Sequence, residues 1–109
     1  MSDLSVSFNN LGDLATAQGN LPEAQRLFGE SLRIRQRLAE SDPANAAWQR
    51  DVWVSHWRIA NVLEQQGSDE ALASWRKAHD MLAAIVSAGL FVSTQDQQFL
   101  EQLRTKLRR

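Results

Sequence analysis

Phe8-Asn9-Asn10-Leu11-Gly12-Asp13-Leu14-Ala15, followed after Thr16-Ala17-Gln18 by Gly19-Asn20-Leu21-Pro22-Glu23-Ala24-Gln25-Arg26-Leu27-Phe28, decides the architecture of this chain. Leu4, Phe8, Leu11 and Ala15 recur at helical spacing and predict one packing stripe; Ala24, Leu27, Phe28, Ser31, Leu32 and Leu38 predict a second. Between them, Gly19 suits the left-handed position that ends a helix, Asn20 with Glu23 three residues on reads as a capping box, and Pro22 fits a first helical turn. The stretch predicts a helical hairpin.

Working outward, the same unit recurs 48 residues on. Asp3-Leu4-Ser5-Val6-Ser7-Phe8 aligns with Asp51-Val52-Trp53-Val54-Ser55-His56, and Ala17-Gln18-Gly19 with Gln65-Gln66-Gly67. After one deleted residue Glu23-Ala24 matches Glu70-Ala71, Phe28 matches Trp75 and Ser31 matches Ala78. The second copy has stripes Val52, His56, Ile59, Ala60, Leu63 and Ala71, Trp75, Ala78, Leu82, Ile85, with Gly67 and Ser68 at the turn. Asp42 and Pro43 are expected to stop one hairpin and start the next, as cap and first helical residue. After Ala88, Gly89 offers a further stop with Leu90 and Phe91 folding back, and Ser93 to Asp96 opens a last helix bearing Phe99, Leu100, Leu103 and Leu107. Five helices are predicted.

The 109 residues allow one small domain, and 43% hydrophobic with 23% charged residues is the composition of a folded chain. A net charge of −1 offers no field to gather nucleic acid or an anionic membrane, so neither is an expected partner. The absence of Cys excludes disulfides, thiol catalysis and thiolate zinc sites. Met1-Ser2-Asp3 has no signal-peptide character, and a cytoplasmic setting is expected.

Phe8-x-x-Leu11-Gly12-x-x-Ala15 with Ala24-x-x-x-Phe28, and His56-x-x-Ile59-Ala60-x-x-Leu63 with Ala71-x-x-x-Trp75, resemble the tetratricopeptide repeat. Gly12, Ala24, Ala60 and Ala71 are small where paired helices cross closely, and Phe28 and Trp75 fill the space between hairpins. The period exceeds the usual 34 residues and is similar to the extended repeats of the kinesin-light-chain type and of bacterial signalling proteins. The resemblance runs over roughly residues 3 to 88. It implies an all-α, tetratricopeptide-like helical-hairpin solenoid: residues 3–42 and 43–90 as two repeats, 93–109 as a capping helix.

The resemblance also implies a non-catalytic protein–protein interaction module or scaffold, holding a peptide or protein segment on the concave surface of the first helices. That stripe carries Val6, Asn9, Asn10, Asp13 and Thr16, then Val54, Trp57, Arg58, Asn61 and Gln65, with Gln98 and Gln102 added by the last helix. Ser5 and Asn9 of the first copy become Trp53 and Trp57 in the second. Two large aromatics beside an arginine fit a partner-binding anchor, or else pack against a neighbouring helix. The expected partner-binding residues are Asn9, Asp13, Trp53, Trp57, Arg58 and Asn61.

No catalytic residue, cofactor or metal is assigned. His56 stands where the first copy has Phe8 and reads as a core residue, and His79 lies on another helix. Ser55, His56 and Asp51 are the residue types of a hydrolase triad but neighbours on one helix, and no phosphate loop is present. Arg104, Lys106, Arg108 and Arg109, the only basic cluster, suit the negative end of a helix dipole and solubility, or else an anionic partner. Arg33, Arg35 and Arg37 with Glu30 and Glu40 read as a solvated face. Asp51 is preceded by Trp48-Gln49-Arg50, a lead-in with no counterpart before Asp3. The first hairpin is therefore expected to leave an open face, suiting either the C-terminal end of a longer array or a homodimer.

Overall fold

A computed structural model describes residues 3–90 and 92–108 as five α-helices: α1 (Asp3–Ala17), α2 (Leu21–Ser41), α3 (Ala46–Gln65), α4 (Ala71–Ser87) and α5 (Thr94–Leu107). Phe91, expected over the end of α4, and Arg109, expected in the terminal basic run, lie outside the described residues. The main helix contacts join neighbours along the chain, α1 to α2, α2 to α3, α3 to α4 and α4 to α5. Extents of 38 × 36 × 20 Å describe a short slab of stacked helices.

The two hairpin turns are built alike. At the first, Gly19 has φ +77°, its N–H reaches the Thr16 carbonyl at 3.0 Å, and Asn20 N–H reaches that of Ala15 at 2.8 Å. At the second, Gly67 has φ +68°, with Gly67 to Glu64 at 3.0 Å and Ser68 to Leu63 at 2.9 Å. Both are Schellman stops, which satisfy carbonyls that a helix end leaves orphaned and need a residue free to take positive φ. The end of α4 repeats the pattern at Gly89.

Helix starts differ in detail from the sequence reading. Asn20 caps α2 by accepting from Glu23 N–H, but the Glu23 carboxylate turns outward to Arg26, so half of the capping box is formed. Asp42 ends α2, Pro43 lies in the turn, and Asn45 caps α3 by accepting from Trp48 N–H at 3.0 Å. The inter-repeat boundary thus needs the full turn 42–45 rather than a direct restart at Asp42 and Pro43. Ser93 caps α5 as expected, at 3.1 Å from Asp96 N–H. A cap of this kind contributes about 1 kcal/mol.

The core falls into two clusters. Ala15, Ala24, Leu27, Phe28 and Val62 join the first hairpin to α3, with Phe8, Leu21 and Ile59 against them. Trp53, Ala60, Leu63, Ala71, Trp75, Ala78, Leu82, Ile85, Leu100 and Leu103 join the second hairpin to α5. Gly12 faces the Phe28 ring so closely that an added Cβ would stand 2.5 Å from a ring carbon. Ala24 and Ala60 are fully buried, which accounts for small residues at these crossings.

Two packing expectations are corrected. Leu4 and Leu11, placed on the first stripe, are 57% and 50% exposed, and Leu14 is 54% exposed. The packed side of α1 is Ser5, Asn9, Gly12 and Ala15, with Phe8 partly buried; α1 has a helix on one side only, and its second apolar edge faces outward. In α3 the matching edge, Val52, Ile59 and Val62, is covered by α2. Arg35, read as part of a solvated face, is buried instead. Its guanidinium donates to Ser55 Oγ at 3.2 Å and to the Asp51 carbonyl at 3.3 Å.

Candidate functional site

α1, α3 and α5 present a common face, and α3 is its middle element. Trp57 is half-buried there. Its ring meets Trp53 edge-on at 6.2 Å, Trp75 edge-on at 5.3 Å, and Phe99 in a tilted contact at 4.9 Å. Edge-to-face pairs of this kind add about 0.5–1.5 kcal/mol beyond burial and fix the rings in place. The aromatic floor is therefore rigid.

Three hollows adjoin it. One of about 410 Å³ lies among Trp57, Asn61, Trp75, Gln102, Thr105 and Lys106. A second of about 320 Å³ is bordered by Arg50, Trp53, Trp57, Arg58, Asn61 and Phe99. A third of about 120 Å³ reaches Asp13, Thr16, Phe28, Arg58, Asn61 and Gln65. Trp57 borders two of these and Asn61, exposed, borders all three, so they form one continuous groove.

The charges of the groove share one arrangement, a cation over a ring and a carboxylate from a neighbouring segment. Arg58 lies 5.7 Å from the Phe28 ring centre and pairs with Asp13 of α1. Lys106 of α5 lies 4.7 Å from the Trp75 ring centre and 3.0 Å from Glu64 Oε1. Arg50 lies 5.6 Å from the Trp53 ring centre and holds Asp96 through Nε at 2.7 Å and Nη2 at 3.1 Å. Asp96 is buried, and its hydrogen bond to Arg50 pushes the guanidinium pKa further up; this pair is architectural. Asp13 and Glu64 are exposed, so their pairs contribute at most about 1 kcal/mol each and exchange readily.

Of the six residues expected to contact a partner, Asp13, Trp57, Arg58 and Asn61 come together in this groove. The other two are placed differently. Trp53 is 1% exposed and belongs to the core under α5. Asn9 is buried between α1 and α2; with its amide oriented to match donors to acceptors, the oxygen accepts from Arg35 Nη1 and Nη2 at 3.0 and 2.9 Å and the NH2 donates to Ser31 Oγ at 3.0 Å. Arg50, Glu64, Trp75 and Lys106 were not foreseen at the groove. Lys106 was read only as part of the terminal basic run, for the helix end and solubility or for an anionic partner, and its contact with Trp75 joins residues that no local spacing relates.

His56 is buried, as its alignment with Phe8 implied, and burial pushes its pKa below the usual imidazole value, with Lys77 adding to the effect. Ser55 donates to the Asp51 carbonyl at 2.9 Å while accepting from Arg35, so its hydroxyl is occupied in holding α2 on α3. Among the described residues no three His, Asp or Glu side chains converge as metal ligands, and no helix is long and apolar enough to cross a membrane.

The family model for the tetratricopeptide repeat matches residues 4–45, which are α1, α2 and the turn after them. Over those residues the chain is similar to a tetratricopeptide repeat. Its second hairpin, beyond the matched residues, copies the turn and crossing geometry of that repeat. Tetratricopeptide repeats are generally non-catalytic protein–protein interaction modules. No curated protein and no solved structure matches the chain.

Proposed function

We propose that the chain binds a peptide or protein segment in the groove of α1, α3 and α5, and that the segment carries a bulky apolar side chain beside acidic groups. The carrying observation is Trp57: a half-exposed indole fixed on three rings, with hollows on either side and exchangeable cations at their rims. An apolar side chain laid on Trp57 buries area on a surface that loses little entropy. Arg58 and Lys106 exchange Asp13 and Glu64 for carboxylates of the ligand, and the Asn61 amide offers donor and acceptor to an extended backbone.

The test uses two short synthetic peptides, one with phenylalanine between aspartates and one with the aspartates replaced by lysines. The acidic peptide should perturb tryptophan fluorescence, and Trp57→Ala should weaken its binding about tenfold, the equivalent of 1.4 kcal/mol. Arg58→Glu with Lys106→Glu should abolish it. Equal binding of both peptides, or binding indifferent to these substitutions, overturns the reading.

A further inference from the structure

We propose that a second groove, between α2 and α4 over the start of α3, docks a segment of another protein that carries two apolar side chains with a lysine or arginine beside each. No residue borders both this groove and that of α1, α3 and α5, so the inference stands apart from the binding mode described above.

The main helix contacts join α2 to α3 and α3 to α4, which leaves a gap between α2 and α4 with α3 beneath it. One hollow of about 330 Å³ lies among Ala39, Glu40 and Val52, and another of about 360 Å³ among Asp80, Ala84 and Ile85. Pro43, Gln49 and Met81 border both, so the two hollows are continuous. Small side chains keep the space open, since Ala39 and Ala84 stand where longer ones would fill it. The floor is apolar: Ala39, Val52 and Ile85 are buried, and Met81 packs against the second core cluster. Gln49 donates from Nε2 to the Ala39 carbonyl at 3.0 Å, which holds its amide at the junction of the hollows and leaves the amide oxygen as an acceptor there.

Charge identifies the occupant. Glu40 borders the first hollow and Asp80 the second, and both are exposed. Among the described residues Glu40 has no cationic partner, Asp80 has only the His79 imidazole at 3.0 Å, and no lysine or arginine borders either hollow. The groove of α1, α3 and α5 has the opposite sign, with Arg50, Arg58 and Lys106 at its edges. An apolar trough with an unmatched carboxylate over each half is complementary to apolar side chains that alternate with cations. A lysine or arginine lays its methylenes along the trough while its charge reaches the rim, and the neighbouring apolar side chain fills the hollow. The exposed apolar edge of α1 does not fit this groove from a second copy, because no lysine or arginine occurs between Asp3 and Ala17.

Met1 and Met81 are the two methionines of the chain, so carbon-13 labelling of methionine methyls places a single reporter at the junction of the hollows. The probe is a synthetic peptide of two leucine–lysine pairs joined by glycines; one control replaces the leucines by serine and another the lysines by glutamate. The probe should shift the Met81 methyl signal in a saturable titration, and neither control should. Glu40→Lys with Asp80→Lys should weaken binding about tenfold, and raising the salt to about 0.5 M should weaken it in the parent. Both substituted residues are exposed, so the variant should keep the parent's circular dichroism and unfolding midpoint, which shows that it folds. A Met81 signal that stays in place with the probe, moves equally with the glutamate peptide, or responds alike in the double variant overturns the proposal. Self-association of the free chain that shifts the Met81 methyl also overturns it, by giving the groove to a second copy.

Discussion

Gly12 and Gly29 both lie inside helices, α1 and α2, and a methyl group added at each should act with opposite sign. Replacing a helical glycine by alanine stabilises by about 1 kcal/mol through backbone entropy alone, and this gain is common to both sites. At Gly29 an added Cβ meets nothing within 4 Å, so Gly29→Ala should keep most of the gain. At Gly12 the added Cβ stands 2.5, 2.7 and 2.9 Å from three ring carbons of Phe28. That ring is buried in the cluster with Ala15, Ala24 and Leu27, and the Arg58 guanidinium lies against it on the side of the small hollow, so its retreat is restricted. Relief requires α1 to move off α2, at the roughly 1–3 kcal/mol typical of overpacking. Because the entropic gain cancels, the stability difference between the two variants isolates the ring contact and should be about 1–3 kcal/mol in favour of Gly29→Ala. Urea unfolding of both, with m-values checked for constancy, measures it. A difference under about 0.5 kcal/mol would refute the argument that Gly12 is glycine because Phe28 needs the space.

Three further outcomes are expected. His56 has its folded pKa lowered by burial, so the unfolded chain takes up the proton first as pH falls through about 6.5; stability should be full above that value and decline below it. His56→Phe, which restores the residue of the first copy, should remove this slope, and unfolding midpoints between pH 5 and 8 would show whether it does. Desolvation of Asp51 raises its pKa and acts in a lower pH window with the opposite sign, stability falling as pH rises through it, so the two effects separate. Asn9→Ala should cost about 1–3 kcal/mol because it removes the amide oxygen that accepts from both terminal nitrogens of the buried Arg35, and a loss as small as that of an exposed asparagine would contradict the network. Asp13→Asn should change stability by less than about 1 kcal/mol yet strengthen binding of the acidic peptide, which a fluorescence titration at two salt concentrations would detect.

Hairpins, turns and the capping helix were legible because their signals are local: glycine at a left-handed stop, asparagine or serine before a helix, small residues where helices cross. The face that each helix turns to its neighbours was less so. Leu4 and Leu11 look like core by spacing, and only the lack of a helix on that side of α1 leaves them in solvent. Arg35 carried the opposite ambiguity, since a charge among charges reads as solvated until Asn9 and Ser55 are seen to converge on it from two other helices. At the groove, comparison of the two copies singled out Trp53 and Trp57 as additions and favoured Trp57 as the anchor by a small margin. The full difference shows only in the packed stack, where Trp53 is sealed in the core with Leu100 and Leu103 of α5 and Trp57 stays at the rim although Phe99 touches both rings. Arg50 and Trp53 stand three apart on α3, but the other two cation-over-ring pairs, Arg58 with Phe28 and Lys106 with Trp75, join residues far apart in sequence and leave no periodic trace.

Those pairs give the groove a mechanical character. Arg58 to Asp13 ties α1 to α3, and Lys106 to Glu64 ties α5 to α3, so the two cations proposed to meet a ligand are also ties between helices. A segment that claims either cation opens a latch as it enters and must bridge the same helices itself. Under the proposed binding mode, a ligand long enough to span from α1 to α5 would take over both ties, and a shorter one would release one without replacing it.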